Sequence, residues 1–360
     1  MNCSHIIRRK GKLQSLIMKE RQTGIDIVKA IATFLIVFIH FFMSIGYYQT
    51  PIVSNKMIVM TFLRWGGLVA VPLFVMATGY LKSKKVADKA HYMSLLPIII
   101  TYVILCTLRM IAENSVYGKI HTFKSGVKSL LSYQSAWYVG MYVALMLICP
   151  FLNRLFNSLS DKERRVFLAT MVIVTMVYPV IPYVFPSYFQ YMYILTYYFI
   201  GAYINEYRPD VNKLLLVALY IGSTIINGVI TIINSKGGAF NPGVLSFVDN
   251  GQNAITVAVS ATAVFLLFYK ADIRNGFVMG IVRSISKCSL EIYLIQAAYN
   301  AIIYTYMGRK IGSAEEYFYY IVILVPLSFV LSWITAALYK AIYGAVSRLL
   351  KNAANTKHNG

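Results

Sequence analysis

Apolar runs of about twenty residues recur along almost the whole of this 360-residue chain, and they decide what it can fold into. A helix needs about 20 mostly apolar residues to cross a bilayer. Ten such runs are expected to span, at roughly 25–45, 57–80, 92–112, 136–153, 166–182, 189–205, 214–233, 254–270, 289–307 and 317–340. Lipid offers no partner to an unpaired backbone group, so these segments must be helical. The predicted fold class is all-α: a polytopic membrane helix bundle of about ten transmembrane helices with both termini cytoplasmic. Residues 25–340 form one transmembrane domain between a basic cytoplasmic segment, 1–24, and a cytoplasmic tail, 341–360. The first run is longer than the roughly 7–15 residues of a signal-peptide core, so it reads as an uncleaved anchor. Residues 1–17 read as a poorly structured basic lead.

Hydrophobic residues make up 58% of the chain and charged ones 13%, against about 25% charged in soluble domains. Lys and Arg number 34 against 13 acidic residues, a net charge of +21. In a soluble chain this would suggest nucleic-acid binding. No basic domain, stacking motif or zinc site accompanies it here, so nucleic acid is excluded as a partner. Basic residues in short cytoplasmic loops fix membrane orientation instead. With the N-terminus inside, the outer segments hold only Lys56, Lys119, Lys124, Lys128, Lys236, Arg309 and Lys310. Adding or losing one span would swap the later loops and spoil that bias. The expected location is therefore the inner (plasma) membrane, multi-pass, with membrane lipid as a partner. Segments 123–133 and 276–287 mix basic and apolar residues over a short length, as interfacial helices do. Many of the 29 tyrosines, Tyr47, Tyr48, Tyr183, Tyr188 and Tyr191 among them, fall in outer segments and suit interfacial belts. Cys3, Cys106, Cys149 and Cys288 are scattered, so neither a disulfide framework nor a metal site is expected.

Ionisable groups inside a span are costly and are functional candidates by default. The first span carries Asp26, Lys29 and His40. At about 100° per residue, the eleven steps from Lys29 to His40 leave an offset of roughly 20°, and Asp26 and Thr33 fall within about 60° of the same line. One polar stripe therefore runs along an apolar cylinder, with His40 roughly 16 Å beyond Lys29. Asp26 and Lys29 are spaced to pair at i, i+3. His40 is the one histidine deep in an apolar run. A neutral imidazole there can accept a proton from a hydroxyl, or carry an acyl group itself. In the second span, Pro72 is expected to kink or break the helix, and Thr78-Gly79 permits close helix approach. Arg64 lies near the outer end of that span.

The stretch IDIVKAIATFLIVFIH, followed about thirty residues later by VPLFVMATGYL, resembles the integral-membrane acyltransferase family, acyltransferase family 3. Its first-span motif, Arg, ten residues, His, is matched by Lys29, ten residues, His40. The next motif is matched from Val71 to Leu81, with Thr78 in place of Ser. Trp137-Tyr138-Val139 with Pro150, and the segment from Ile285 to Gln296, resemble two later and weaker elements, Gln296 standing where the family has His. Lys29 keeps the charge of Arg but loses its bidentate fork. The resemblance implies O-acylation of a glycan at the outer face with cytoplasmic acetyl-CoA as acyl donor, no metal being expected, and the membrane core acting alone. His40 is then the base or transient acyl carrier, with Lys29 beside it in the motif and Arg64 stabilising the oxyanion. Asp26, Lys29, Lys82, Lys84 and Lys85 are the expected donor-binding residues, and Trp137, Arg109 and Gln296 the expected acceptor-side ones. The rival readings are a transporter or flippase of a polyprenyl-linked sugar, and a regulatory scaffold. Concentration of the in-span polar groups on one helix around one histidine argues against transport.

Overall fold

A computed structural model describes residues 3–118, 120–177, 186–245 and 251–358. The end of the expected 166–182 span and Tyr183 lie outside these residues. The helices are α1 (Cys3–Ser44), α2 (Asn55–Gly67), α3 (Ala70–Lys82), α4 (Lys89–Met93), α5 (Leu96–Tyr117), α6 (Phe123–Leu131) and α7 (Trp137–Ser158). They continue with α8 (Asp161–Val172), α9 (Tyr193–Tyr207), α10 (Lys213–Ser235), α11 (Ile255–Phe268), α12 (Gly276–Lys287), α13 (Ser289–Gly308) and α14 (Ile321–His358). No strand occurs among the described residues.

Helices overlap the ten expected segments, α2 and α3 together the second, while for 166–182 the described helix is α8 with the π-helical turn that follows it to Val177. Among the described residues, six stretches are long and apolar enough to cross a bilayer: Thr23–Ser44, Asn55–Lys82, Lys89–Tyr117, Trp137–Ser158, Lys213–Ser235 and Glu316–Leu349. Ile255–Phe268 is apolar but shorter. Helices α8 and α9 have 12 and 15 residues, and α13 places Glu291, Gln296 and Asn300 along its 20. Leu108 and Ile111 on α5, Leu214 and Ile233 on α10, and Val322 and Ile334 on α14 are all more than half exposed, as the lipid-facing side chains of a multi-pass membrane protein are. The lead expected to be poorly structured is helical from Cys3. It contains no proline and carries Arg8, Arg9, Lys10, Lys12, Leu13 and Leu16, all good helix formers.

Helix α1 packs against α3, α12 and α13; α3 packs on α9, and α13 on α5 and α14. The break in the second span falls one turn before Pro72. Helix α2 ends at Gly67 and α3 restarts at Ala70, which leaves Pro72 in a first turn where no N–H is required. The contact between α3 and α9 depends on two glycines. A Cβ on Gly79 would stand 1.9 Å from the Tyr198 carbonyl oxygen, and one on Gly201 would stand 2.0 Å from that of Met76. The two short segments expected at the interface form α6 and α12. Thr122 and Ser125 cap α6 reciprocally, and its Phe123 and Leu131 are strongly exposed. Helix α12 lies along α1.

Candidate functional site

Lys29 and His40 stand on one face of α1, and each opens into its own cavity. The Lys29 cavity, of about 490 Å³, is lined by Lys29, Lys82, Lys287 and Lys340, by Thr78, Ser286 and Glu291, and by several tyrosines. The His40 cavity, of about 560 Å³, is lined by His40, Arg64, Arg109, Glu113, Trp137, Gln252, Gln296 and Asn300, and by Tyr48, Tyr117 and Tyr304. The two lie at opposite ends of the same helices. Helix α5 contributes Pro97, Ile98 and Thr101 to the first and Arg109, Glu113 and Tyr117 to the second. Helix α13 contributes Ser289 to Glu291 to the first and Gln296 to Ala301 to the second, Tyr299 and its neighbour at 298 excepted. Ile36, Tyr138 and Tyr293 line both cavities, so the cavities meet at these side chains.

His40 is held from α13. The amide of Gln296, a fully buried residue, is hydrogen-bonded to Nδ1 of the imidazole. The Tyr293 ring, three residues earlier on α13, is centred 6.1 Å from that of His40. With Nδ1 engaged, Nε2 is the ring nitrogen left for a molecule in the cavity. Gln296, expected on the acceptor side, is therefore a partner of His40.

Arg64 shares the His40 cavity and is fully buried. Its guanidinium carbon lies 4.5 Å from the ring centres of both Trp65 and Phe240, and Nε donates to the Tyr48 hydroxyl at 3.3 Å. Aromatic faces thus stabilise a cation that an apolar setting would otherwise penalise. Arg109 is anchored by Nε donating to Glu113 Oε1 at 2.7 Å and Nη1 donating to the Ser135 carbonyl at 2.7 Å. The other Glu113 oxygen is 2.7 Å from Nε2 of His121. Trp137, at the start of α7, is 40% exposed on the cavity wall.

The donor-side expectations divide. Lys29 and Lys82 line the inner cavity together. Lys84 is exposed and paired with Glu206 at 3.3 Å, and Lys85 is likewise exposed; neither lines the cavity. The expected Asp26–Lys29 ion pair is not formed: Asp26 accepts a 2.6 Å hydrogen bond from Ser286 of α12. Thr33, on the same stripe, donates back to the Lys29 carbonyl of its own helix.

Sequence reasoning missed three groups. Lys287 and Lys340, which sequence spacing does not bring together, line the Lys29 cavity, and Lys340 pairs with Glu291 at 3.0 Å. Glu113 was passed over at the end of its span, although its i, i+4 spacing from Arg109 was a usable signal. His91, near the start of the third run, is buried and hydrogen-bonded to the Met146 carbonyl at 2.7 Å, and it lines neither cavity.

The acyltransferase domain family matches residues 22–337. The chain belongs to acyltransferase family 3. It is accordingly a multi-pass membrane acyltransferase, and the transport and scaffold readings give way to an enzyme. The matched region of this family 3 acyltransferase contains Lys29, His40, Gln296 and the side chains between the two cavities. No curated protein and no solved structure matches the chain.

Proposed function

We propose that this acyltransferase moves an acetyl or similar short acyl group from cytoplasmic acetyl-CoA to a sugar hydroxyl of a cell-surface or lipid-linked glycan, in the inner (plasma) membrane. The observation that carries the reading is the pair of cavities placed end to end along α1, one holding Lys29 and the other His40. Donor and acceptor start on opposite sides of the membrane, so the reaction needs a site reachable from both.

Lys29, Lys82, Lys287 and Lys340 give the first cavity a cationic rim suited to the phosphates of CoA. Trp137 and the tyrosines of the second offer flat apolar faces to a sugar ring, with Arg109 and Glu113 available to its hydroxyls. In the direct route, His40 takes the hydroxyl proton as the oxygen bonds to the thioester carbon. The C–S bond breaks, and the proton passes to the departing CoA sulfur. In the carrier route, an imidazole nitrogen bonds to the thioester carbon as the C–S bond breaks and CoA leaves as the thiolate; the sugar oxygen then takes the acyl group as the N–C bond breaks, and the hydroxyl proton goes to the CoA sulfur. Arg64 supplies fixed positive charge where the carbonyl oxygen becomes negative.

The test is glycan acetylation in a deletion strain complemented with His40→Ala at matched membrane abundance. Removing a general base lowers the rate by roughly 10²–10⁴-fold. Acetylation within about threefold of wild type would remove His40 from the chemistry, because that lies far below the same range.

A further inference from the structure

The side chains of Ile36, Tyr138 and Tyr293 line both cavities and lie where the two meet. Ile36 lies on the α1 stripe seven residues after Lys29 and four before His40, within roughly 40° of both. Tyr138 comes from α7 and Tyr293 from α13. Their rings meet edge to face, with centroids 5.8 Å apart and planes at 73°. Rings at that separation are in van der Waals contact. Tyr138 is backed by Phe74 at 5.9 Å, and Tyr293 faces His40 at 6.1 Å. These shared side chains therefore stand between the Lys29 cavity and His40.

We propose that Ile36, Tyr138 and Tyr293 form a partition through which the acyl group passes, and that the gap they leave sets the width of the acyl group accepted. This rests on the reading that the donor enters from the Lys29 side. The acyl group is the leading end of such a donor, so it meets the partition before the thioester carbon reaches His40. A gap made by side-chain rotation passes a linear acyl group and rejects one branched beside the carbonyl, because its extra methyl has no space between packed rings. A methyl-sized difference in an apolar site is worth about 10–200-fold in selectivity. While no acyl group fills the gap, the same side chains keep the cavities from joining into a water path across the membrane.

The experiment uses the full-length protein in liposomes, with Ile36→Ala, Tyr138→Leu and the double variant beside wild type. The first readout is transfer from acetyl-CoA and from isobutyryl-CoA. Wild type should favour acetyl, and the trimmed variants should raise the isobutyryl-to-acetyl ratio by about tenfold or more, the low end of that selectivity range. The second readout needs no acyl transfer: the double variant should collapse an imposed proton gradient faster than wild type. An unchanged ratio together with an unchanged leak would overturn the proposal. If wild type transfers nothing from either donor, the donor reading fails, and the leak alone then decides whether the partition exists. Retained tightness in a double variant that still binds detergent micelles as a monodisperse protein would reject it.

Discussion

The side-chain amide of Gln296 is bound to Nδ1 of His40, joining α13 to the polar stripe of α1. The amide can present either end to the ring, and the end it presents decides which ring nitrogen carries the proton. The structure sets the amide nitrogen against Nδ1 and leaves Oε1 without a partner among the described residues; turned over, the amide would place its carbonyl oxygen on Nδ1–H, and Nε2 would keep its lone pair for the cavity, which is the state a base requires. Gln296→Leu removes this control and leaves the imidazole free to turn. One buried neutral hydrogen bond is worth about 0.5–1.5 kcal/mol, so the rate should fall about 2- to 13-fold. That is less than the loss expected for His40→Ala. Gln296→Glu, which presents only acceptors to Nδ1–H, should recover part of the rate. Initial rates at saturating donor would check both.

Lys29→Ala should raise the KM for acyl-CoA more than Lys29→Arg does. The cavity around Lys29 also holds Lys82, Lys287 and Lys340, so charge is shared and the remaining lysines should leave measurable binding. Equal losses in the two variants would show that Lys29 is fitted by shape, and would sink its role as a phosphate contact.

Glu113 holds Arg109 and His121 at once, each at 2.7 Å. Glu113→Ala leaves a half-buried guanidinium without its carboxylate. A fully buried pair broken this way loses about 3–5 kcal/mol, and partial exposure should reduce that to about 1–3. Thermal inactivation in detergent should move to lower temperature, with the KM for acceptor rising. An unchanged melting profile would mean that the Ser135 carbonyl alone anchors Arg109.

Gly79→Ala and Gly201→Ala should each destabilise the protein by at least about 1–3 kcal/mol, because the added Cβ meets backbone and not a movable side chain. Gly222 on α10 offers a control, since a Cβ there meets nothing within 4 Å. Gly222→Ala should be neutral or gain about 0.5–1 kcal/mol from helix propensity. Matching losses at all three positions would refute the close approach of α3 and α9.

Topology follows from the distribution of Lys and Arg. Reporter fusions after Lys89, Arg165 and Lys357 should read cytoplasmic, and those after Lys119 and Gly238 should read outside. A cytoplasmic reading at Gly238, or an outside reading at Lys357, would reject ten spans with both ends inside.

The α1 stripe was legible from sequence alone because helix periodicity is local: Lys29 and His40 must share a face whatever surrounds them. The apolar runs likewise determined a helical membrane bundle, since lipid tolerates little else. The neighbours of that stripe were not legible. Gln296 lies 256 residues from His40 along the chain, and Ser286 lies 260 from Asp26. Only the packing of α12 and α13 against α1 brings them together. The same holds for the cationic rim, where Lys340 enters from the last helix while Lys84, two residues after Lys82, turns away to Glu206. Spacing along one helix sets which side chains share a face. Which faces meet is a property of the whole bundle, decided where close approach at residues such as Gly79 and Gly201 lets helices distant in sequence touch.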